Sequence, residues 1–227
     1  MRAAVRGLGE VFITAGVVVL LFVAYQLVWT NFEAQRATNR VADDIRDGWD
    51  RPPAGPGAAT VRGPKPVDFG KGFAFLHIPR LGKNWSVPVV QGVSLPDLSR
   101  GVGHYPGTAL PGQVGNFAVA GHRATNGEPF AYLDRVGKGD LVVTETRRHW
   151  FTYVIDRTRI VSPTSTWVLD PVPGRPAATP TRRLITLTTC NPRWASYQRL
   201  ILFGHLQESR SKADGPPAVL VRTGGKA

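Results

Sequence analysis

The chain contains one cysteine, Cys190, which lies where a predicted strand meets a short loop. Residues 184–189 and 197–206 are two apolar runs with the alternation and β-branched content of strands, and the residues between them are mostly polar. This pattern predicts an antiparallel hairpin with the thiol at the end of its first strand. A single cysteine cannot form an internal disulfide, so the thiol is either a small buried group or a nucleophile.

The predicted register of this hairpin pairs the thiol with an arginine. We take the loop as symmetric about Trp194 and Ala195. Cys190 then lies opposite Arg199, and directly paired residues have Cβ atoms about 4.5–5.5 Å apart. A guanidinium at that distance favours a thiolate and stabilises an oxyanion that forms beside it. Arg193, in the loop, is the competing candidate. Arg199 is favoured because it interrupts an apolar strand, where an unpaired charge is costly.

These residues carry a resemblance to a known family. The segment TLTTC, residues 186–190, followed by Arg199 on the next strand, resembles the TLxTC signature and downstream arginine of sortases. Sortases are cysteine transpeptidases that attach proteins to the bacterial cell wall. A second block, HYPGTALPGQVGNFAVAGHR at residues 104–123, is similar to the block that carries the histidine in class E sortases of high-GC Gram-positive bacteria, and it places His122 there. The resemblance covers residues 71–207.

The resemblance implies a role for each matching side chain. Cys190 is the expected nucleophile, which attacks the Thr–Gly carbonyl of an LAxTG- or LPxTG-like sorting signal and forms a thioester. His122 is the expected acid and base for the departing and incoming amines, and Arg199 is the expected third catalytic residue. Thr188, on the strand face of Cys190, and Tyr105 are the expected substrate-binding residues. A hydroxyl at Tyr105 near the second signal position favours Ala over the bulkier, donor-less Pro.

The composition favours an all-β domain. A hydrophobic content of 42% is too high for a disordered chain, and 19 Pro with 25 Gly predict many turns and few long helices. We expect a closed sortase-type β-barrel of seven or eight strands with short helices, preceded by one N-terminal transmembrane helix.

The charge and the motifs exclude several other classes of function. The net charge of +12 first suggests nucleic-acid binding, but the sequence has no helix-turn-helix, zinc-finger or RNP-type pattern. Anionic lipids and wall polymers are the preferred partners for this charge. No metal and no cofactor are expected, because the sequence has no CxxC, HExxH or phosphate-loop motif.

The chain divides into five predicted segments. Residues 1–9 form a short basic cytoplasmic N-terminus, and residues 10–30 form a transmembrane signal anchor. Residues 31–70 are a polar and Pro/Gly-rich linker, residues 71–207 are the sortase catalytic domain, and residues 208–227 are a disordered tail. This order predicts a single-pass protein of the cell membrane with an extracellular catalytic domain.

The apolar stretch at residues 11–29 carries no charge and would span about 28 Å as a helix, close to the thickness of a bilayer core. A cleaved signal peptide is the alternative interpretation. It is disfavoured because no small-x-small cleavage site follows the apolar run.

The expected partners are secreted proteins that bear a sorting signal, and a peptidoglycan precursor whose amine accepts the acyl group. The membrane is a partner through the N-terminal helix, and nucleic acid is not expected to be one. A hydrolytic cysteine peptidase of wall peptides is the first alternative, and a non-catalytic basic module that binds wall polymers is the second. Residues 220–224, LVRTG, match LxxTG, which is interpreted as a coincidence; a self-substrate is the alternative.

Overall fold

The computed structural model describes residues 2–51, 68 and 70–221, and its central element is a closed barrel of eight strands. Short 3-10 turns lie between several of the elements. The helices are α1 (Arg2–Asp50), α2 (Leu95–Leu98) and α3 (Ala218–Val221). The strands are β1 (Gly72–His77), β2 (Ser86–Gln91), β3 (Val102–His104), β4 (Gly115–Ala120), β5 (Leu141–Glu145), β6 (His149–Val161), β7 (Arg183–Asn191) and β8 (Gln198–Ser211).

The strands follow the order β1-β2-β3-β4-β7-β8-β6-β5 around the barrel, and β5 pairs with β1 to close it. The β2–β3 and β4–β7 pairs are parallel, and the other pairs are antiparallel. The predicted closed all-β barrel is therefore confirmed, with eight strands. Because the barrel is closed, each of its eight strands has a neighbour on both sides.

The alternation of β7 divides its side chains between two faces. Ile185 and Leu187 are fully buried in the barrel core, which they share with Leu200 and Leu202 of β8. The alternate residues, Thr188 among them, point to the outer face because successive side chains of a strand alternate. The predicted hairpin is formed by β7 and β8, with its loop at residues 192–197.

Helix α1 continues to Asp50, where the sequence predicts a linker from residue 31. Val41 and Ile45 are buried against Phe75 and Val90 of the barrel. They approach closely because Gly72 has no side chain there; a Cβ at Gly72 would lie 2.6 Å from atoms of both residues. The linker prediction is wrong for residues 31–50, since apolar residues at helical spacing dock this segment on β1 and β2.

Within residues 2–51, 68 and 70–221, none of the helices combines the length with the apolar character that crossing a membrane requires.

The segment predicted as a disordered tail begins as part of the barrel. Strand β8 extends to Ser211, where it pairs with His149 at the start of β6. Lys212 then forms an ion pair with Glu145 and lies 4.0 Å over the ring of Trp150. The prediction is wrong for residues 208–212, because they complete the ladder with β6 and pair with Glu145; a 3-10 turn at Lys212–Asp214 and the short helix α3 follow.

Two predicted features fall largely outside the described residues. Most of the Pro/Gly-rich spacer lies at residues 52–67 and 69, which the structure does not describe. The LxxTG match at residues 220–224 lies partly within residues 222–227, which are likewise outside the described range.

Candidate active site

The carboxyl ends of β4 and β7 meet at one edge of the barrel because these neighbouring strands are parallel. Ala120 pairs with Thr188 in this ladder, and the amide of Gly121 donates to the carbonyl of Thr188 at 3.1 Å. His122 and Cys190 each follow two residues after that pair. The register therefore brings the predicted histidine and the predicted nucleophile to neighbouring positions at the same edge.

The antiparallel partner of β7 supplies the arginine. Cys190 pairs directly with Arg199 in the β7–β8 ladder, as the hairpin symmetry predicts. The Nη1 atom of Arg199 donates to the carbonyls of Ser196 at 2.7 Å and Gln198 at 2.9 Å. These bonds tie the half-buried guanidinium to the base of the hairpin loop, where its other N–H groups stay available to a ligand.

His122 is half-buried at this edge. Burial lowers its pKa below the ordinary value of 6.5, because loss of water disfavours the charged imidazolium. The neutral ring, which can accept a proton, is thus the form present at neutral pH.

Three of the other histidines have carboxylate or amide partners of their own: His77 with Glu145 at 2.8 Å, His104 with Gln91 at 2.7 Å, and His205 with Asp156 at 2.8 Å.

Tyr105 and Thr188, the two residues expected to bind substrate, are in contact. Their hydroxyl oxygens lie 3.2 Å apart, and the Thr188 hydroxyl donates to the carbonyl of Val119 at 3.2 Å. A threonine hydroxyl has one proton to donate, so Tyr105 donates to Thr188. Thr188 is only 4% exposed, whereas Tyr105 is half-buried. The buried Thr188 therefore fixes the position of the Tyr105 hydroxyl.

Arg123 is the residue that the sequence reasoning missed. Its guanidinium is 6% exposed, and Nη1 donates to the carbonyl of Cys190 at 3.3 Å and to the side-chain oxygen of Asn191 at 2.6 Å. Its Nη2 pairs with Asp134 at 3.0 Å. Arg123 thus connects the backbone of Cys190 to the segment that follows β4. Its position directly after His122 was the available signal in the sequence.

Arg193, the competing candidate for the catalytic arginine, has a carboxylate partner. Its Nη2 lies 2.6 Å from Glu128, and its guanidinium lies 4.7 Å from the ring centre of Tyr132 and 5.0 Å from that of Trp194. The pKa of Arg193 is raised mainly by its hydrogen bond to Glu128. The role of Arg193 in this geometry is to connect the hairpin loop to the segment after β4.

Comparison with known proteins agrees with this geometry. A model of the sortase domain matches residues 76–207. Sortase SrtE1 of Streptomyces coelicolor is 42% identical over 224 residues, which are 95% of this chain and 61% of that protein. Sortase SrtE2 of the same organism is 37% identical, covering 96% of this chain and 88% of that protein. The solved structure of sortase E from Streptomyces avermitilis superposes with a TM-score of 0.62 at 44% identity, covering 68% of this chain and 99% of that one.

An eight-stranded barrel with a thiol, an imidazole and a guanidinium at one edge defines a protein of the sortase type. The chain belongs to the sortase family, and it is of the class E type. It spans about three fifths of the length of SrtE1, the first of these relatives.

We expect Arg123→Ala to lower the free energy of unfolding by about 1–3 kcal/mol, because it leaves the oxygens of Cys190 and Asn191 without their buried donor. Urea unfolding measures this loss. The exposed Arg159 provides the matched control, and Arg159→Ala should stay within about 0.5 kcal/mol of the unmodified protein. Equal stability of the two variants would show that the Arg123 contacts contribute nothing.

Proposed function

We propose that this protein is a membrane-anchored cysteine transpeptidase. It cleaves an LAxTG- or LPxTG-like sorting signal between Thr and Gly through a thioester on Cys190, and it transfers the acyl group to an amine of a cell-wall precursor. The proposal is supported by strand register: the parallel β4–β7 ladder ends at Ala120 and Thr188, two residues before His122 and Cys190, and the antiparallel β7–β8 ladder pairs Cys190 with Arg199.

The first half-reaction forms the thioester. His122 takes the thiol proton as the sulfur of Cys190 attacks the Thr carbonyl carbon. The carbonyl oxygen becomes an oxyanion, which the N–H groups of Arg199 stabilise with donors at fixed angles. The C–N bond then breaks, and His122 gives its proton to the departing glycine amine.

The second half-reaction consumes the thioester. An amine enters the place of the departed glycine, and His122 removes a proton from it as its nitrogen attacks the acyl carbon. The C–S bond breaks, and the proton returns to the sulfur of Cys190. The products are an amide between the sorted protein and the acceptor, and the free thiol.

The side chains beside the thiol favour one signal over the other. The Tyr105 hydroxyl is bonded to the Thr188 hydroxyl, and this bond orients the Tyr105 side chain. A small alanine at the second signal position leaves room for this ring, whereas proline is bulkier and has no N–H to donate. LAxTG is therefore the preferred signal in the proposed function.

The proposed anchor is the apolar stretch of α1. Its large side chains are exposed along residues 11–23, with Leu20 at 70% and Ile13 at 69%. Further along the helix, Tyr25 stacks on Trp29 at 5.7 Å between ring centres, and aromatic pairs of this kind suit a membrane interface. The N-terminus lies in the cytoplasm and the barrel outside in this arrangement.

The test of the function is mass spectrometry of the products from an LAxTG peptide, with and without candidate amines. We expect an amide product when the amine is present and slow hydrolysis without it, and Cys190→Ala should give neither. Rapid cleavage that never yields an amide product would instead favour the hydrolytic peptidase.

Arg199→Lys should slow thioester formation on the order of 10²–10³-fold, because lysine keeps the charge but loses the planar fork of donors. Single-turnover acylation measures the rate. Arg193→Ala is the matched control and should acylate nearly normally, since the partner of Arg193 is Glu128. The reverse pattern would assign the catalytic role to Arg193.

The acid limb of the acylation rate should lie below pH 6.5. Neutral His122 is the form that accepts the thiol proton, and burial lowers its pKa below 6.5, so the neutral form persists to lower pH than for a free histidine. The rate falls only when the pH drops through that lowered pKa. A profile of kcat/KM against pH with an acid midpoint above 6.5 would contradict this role for His122.

A further inference from the structure

A strained loop follows the catalytic histidine. We call residues 122–130 the histidine loop; it is closed by a hydrogen bond from the amide of Phe130 to the carbonyl of His122 at 3.0 Å. Its three consecutive residues Asn126, Gly127 and Glu128 have φ values of 52°, 78° and 46°. Left-handed backbone costs about 1–2 kcal/mol for a residue with a Cβ. Such a conformation persists where contacts from the surrounding structure fix it.

One of these contacts comes from α1. The side-chain oxygen of Asn31 accepts a hydrogen bond from the amide of Gly127 at 3.2 Å. Ala34, one turn further on, is 4% exposed, and a Cβ at Gly127 would lie 3.6 Å from its methyl group. The helix and the loop thus approach each other closely at a pair of small residues, and Asn31 satisfies the backbone donor at the centre of the strained segment.

The same segment reaches the two sides of the active site. The side-chain nitrogen of Asn126 lies 3.5 Å from Nε2 of His122. The carboxylate of Glu128 pairs with Arg193, on the hairpin loop next to the thiol, at 2.6 Å. A change in the conformation of the loop is therefore transmitted to the imidazole and to the hairpin loop that follows Cys190.

Docking of α1 on the barrel does not require the polar contact. The stripe of Val41 and Ile45 packs on Phe75 and Val90, and this stripe begins ten residues after Asn31. Burial of these side chains is the larger stabilising term, since a single hydrogen bond contributes about 1 kcal/mol. The contact of Asn31 with Gly127 therefore acts on the loop and leaves the attachment of the helix unchanged.

We propose that α1 is a positioning element of the active site, and that Asn31 and Asn126 are positioning residues that hold His122 towards Cys190. This inference rests on the proposed function, because it assigns His122 a place in the reaction. The helix that carries the proposed anchor is then also required for full reactivity. A chain in which α1 is displaced from the loop has a correctly folded barrel with a poorly placed imidazole.

The test compares two asparagines of the same helix in the full chain, purified in detergent. Asn31→Ala removes the contact with the loop. Asn39→Ala is the matched control, since Asn39 is exposed and its side chain is bonded to Gln35 on the same helix at 3.2 Å. We expect single-turnover acylation of an LAxTG peptide to slow about three- to tenfold for Asn31→Ala and to be unchanged for Asn39→Ala. The concentration that gives the half-maximal rate should change little in either variant. Asn31→Asp keeps the acceptor oxygen, so its acylation rate should stay close to that of the unmodified chain.

A second readout does not depend on activity. NMR titration of the His122 ring should show its pKa rising towards 6.5 in Asn31→Ala, because a loosened loop admits water to the ring. The charged groups of the loop and its contacts, Arg123, Glu128 and Arg193, are the same in Asn31→Ala, Asn39→Ala and the unmodified chain, whereas Asn31→Asp adds a carboxylate beside Gly127 and is therefore left out of the titration. If Asn31→Ala matches Asn39→Ala in the titration, the positioning role is wrong. If the unmodified chain fails to acylate the peptide, the proposed function fails, and the titration still decides the inference.

Discussion

The register of β7 with its two neighbours is the constraint on which the site depends. The parallel ladder with β4 ends at Ala120 and Thr188, two residues before His122 and Cys190, and the antiparallel ladder with β8 pairs Cys190 with Arg199. A shift of one residue in either ladder would turn Cys190 towards the barrel core, because side chains alternate between the faces of a strand. The buried Ile185 and Leu187 oppose that shift, since it would expose them to water. The packing of the core therefore determines the strand register that positions Cys190 opposite Arg199.

Burial sets the electrostatic environment of the side chains at this edge. His122 is desolvated enough to stay neutral near neutral pH, and the guanidinium of Arg123 is almost completely buried beside the backbone of Cys190. Electrostatic interactions are stronger where water is excluded, so in the proposed reaction the partial burial of Arg199 would strengthen its interaction with an oxyanion. The ion pairs at this edge also connect separate segments, as Arg193 does with Glu128.

The sequence predicted the local part of this arrangement and missed the non-local part. The Cys190–Arg199 pair is set by a short, symmetric hairpin loop, so alternation alone was sufficient. The proximity of His122 depends on parallel pairing between strands that are distant in the sequence, and it was expected only from the family resemblance. The docking of α1 was missed because its apolar residues are few and their partner surface requires a glycine at position 72. The end of β8 was missed because its residues are polar and are ordered by pairing with β6.

The central claim is that the carbonyl carbon of the signal threonine becomes bonded to Cys190. The most direct measurement is acid quenching of a single turnover with an LAxTG peptide, followed by digestion and mass spectrometry to locate the acyl group. The account predicts a thioester on the fragment that contains Cys190, and its absence from Cys190→Ala. Cleavage of the peptide between Thr and Gly by Cys190→Ala would contradict it.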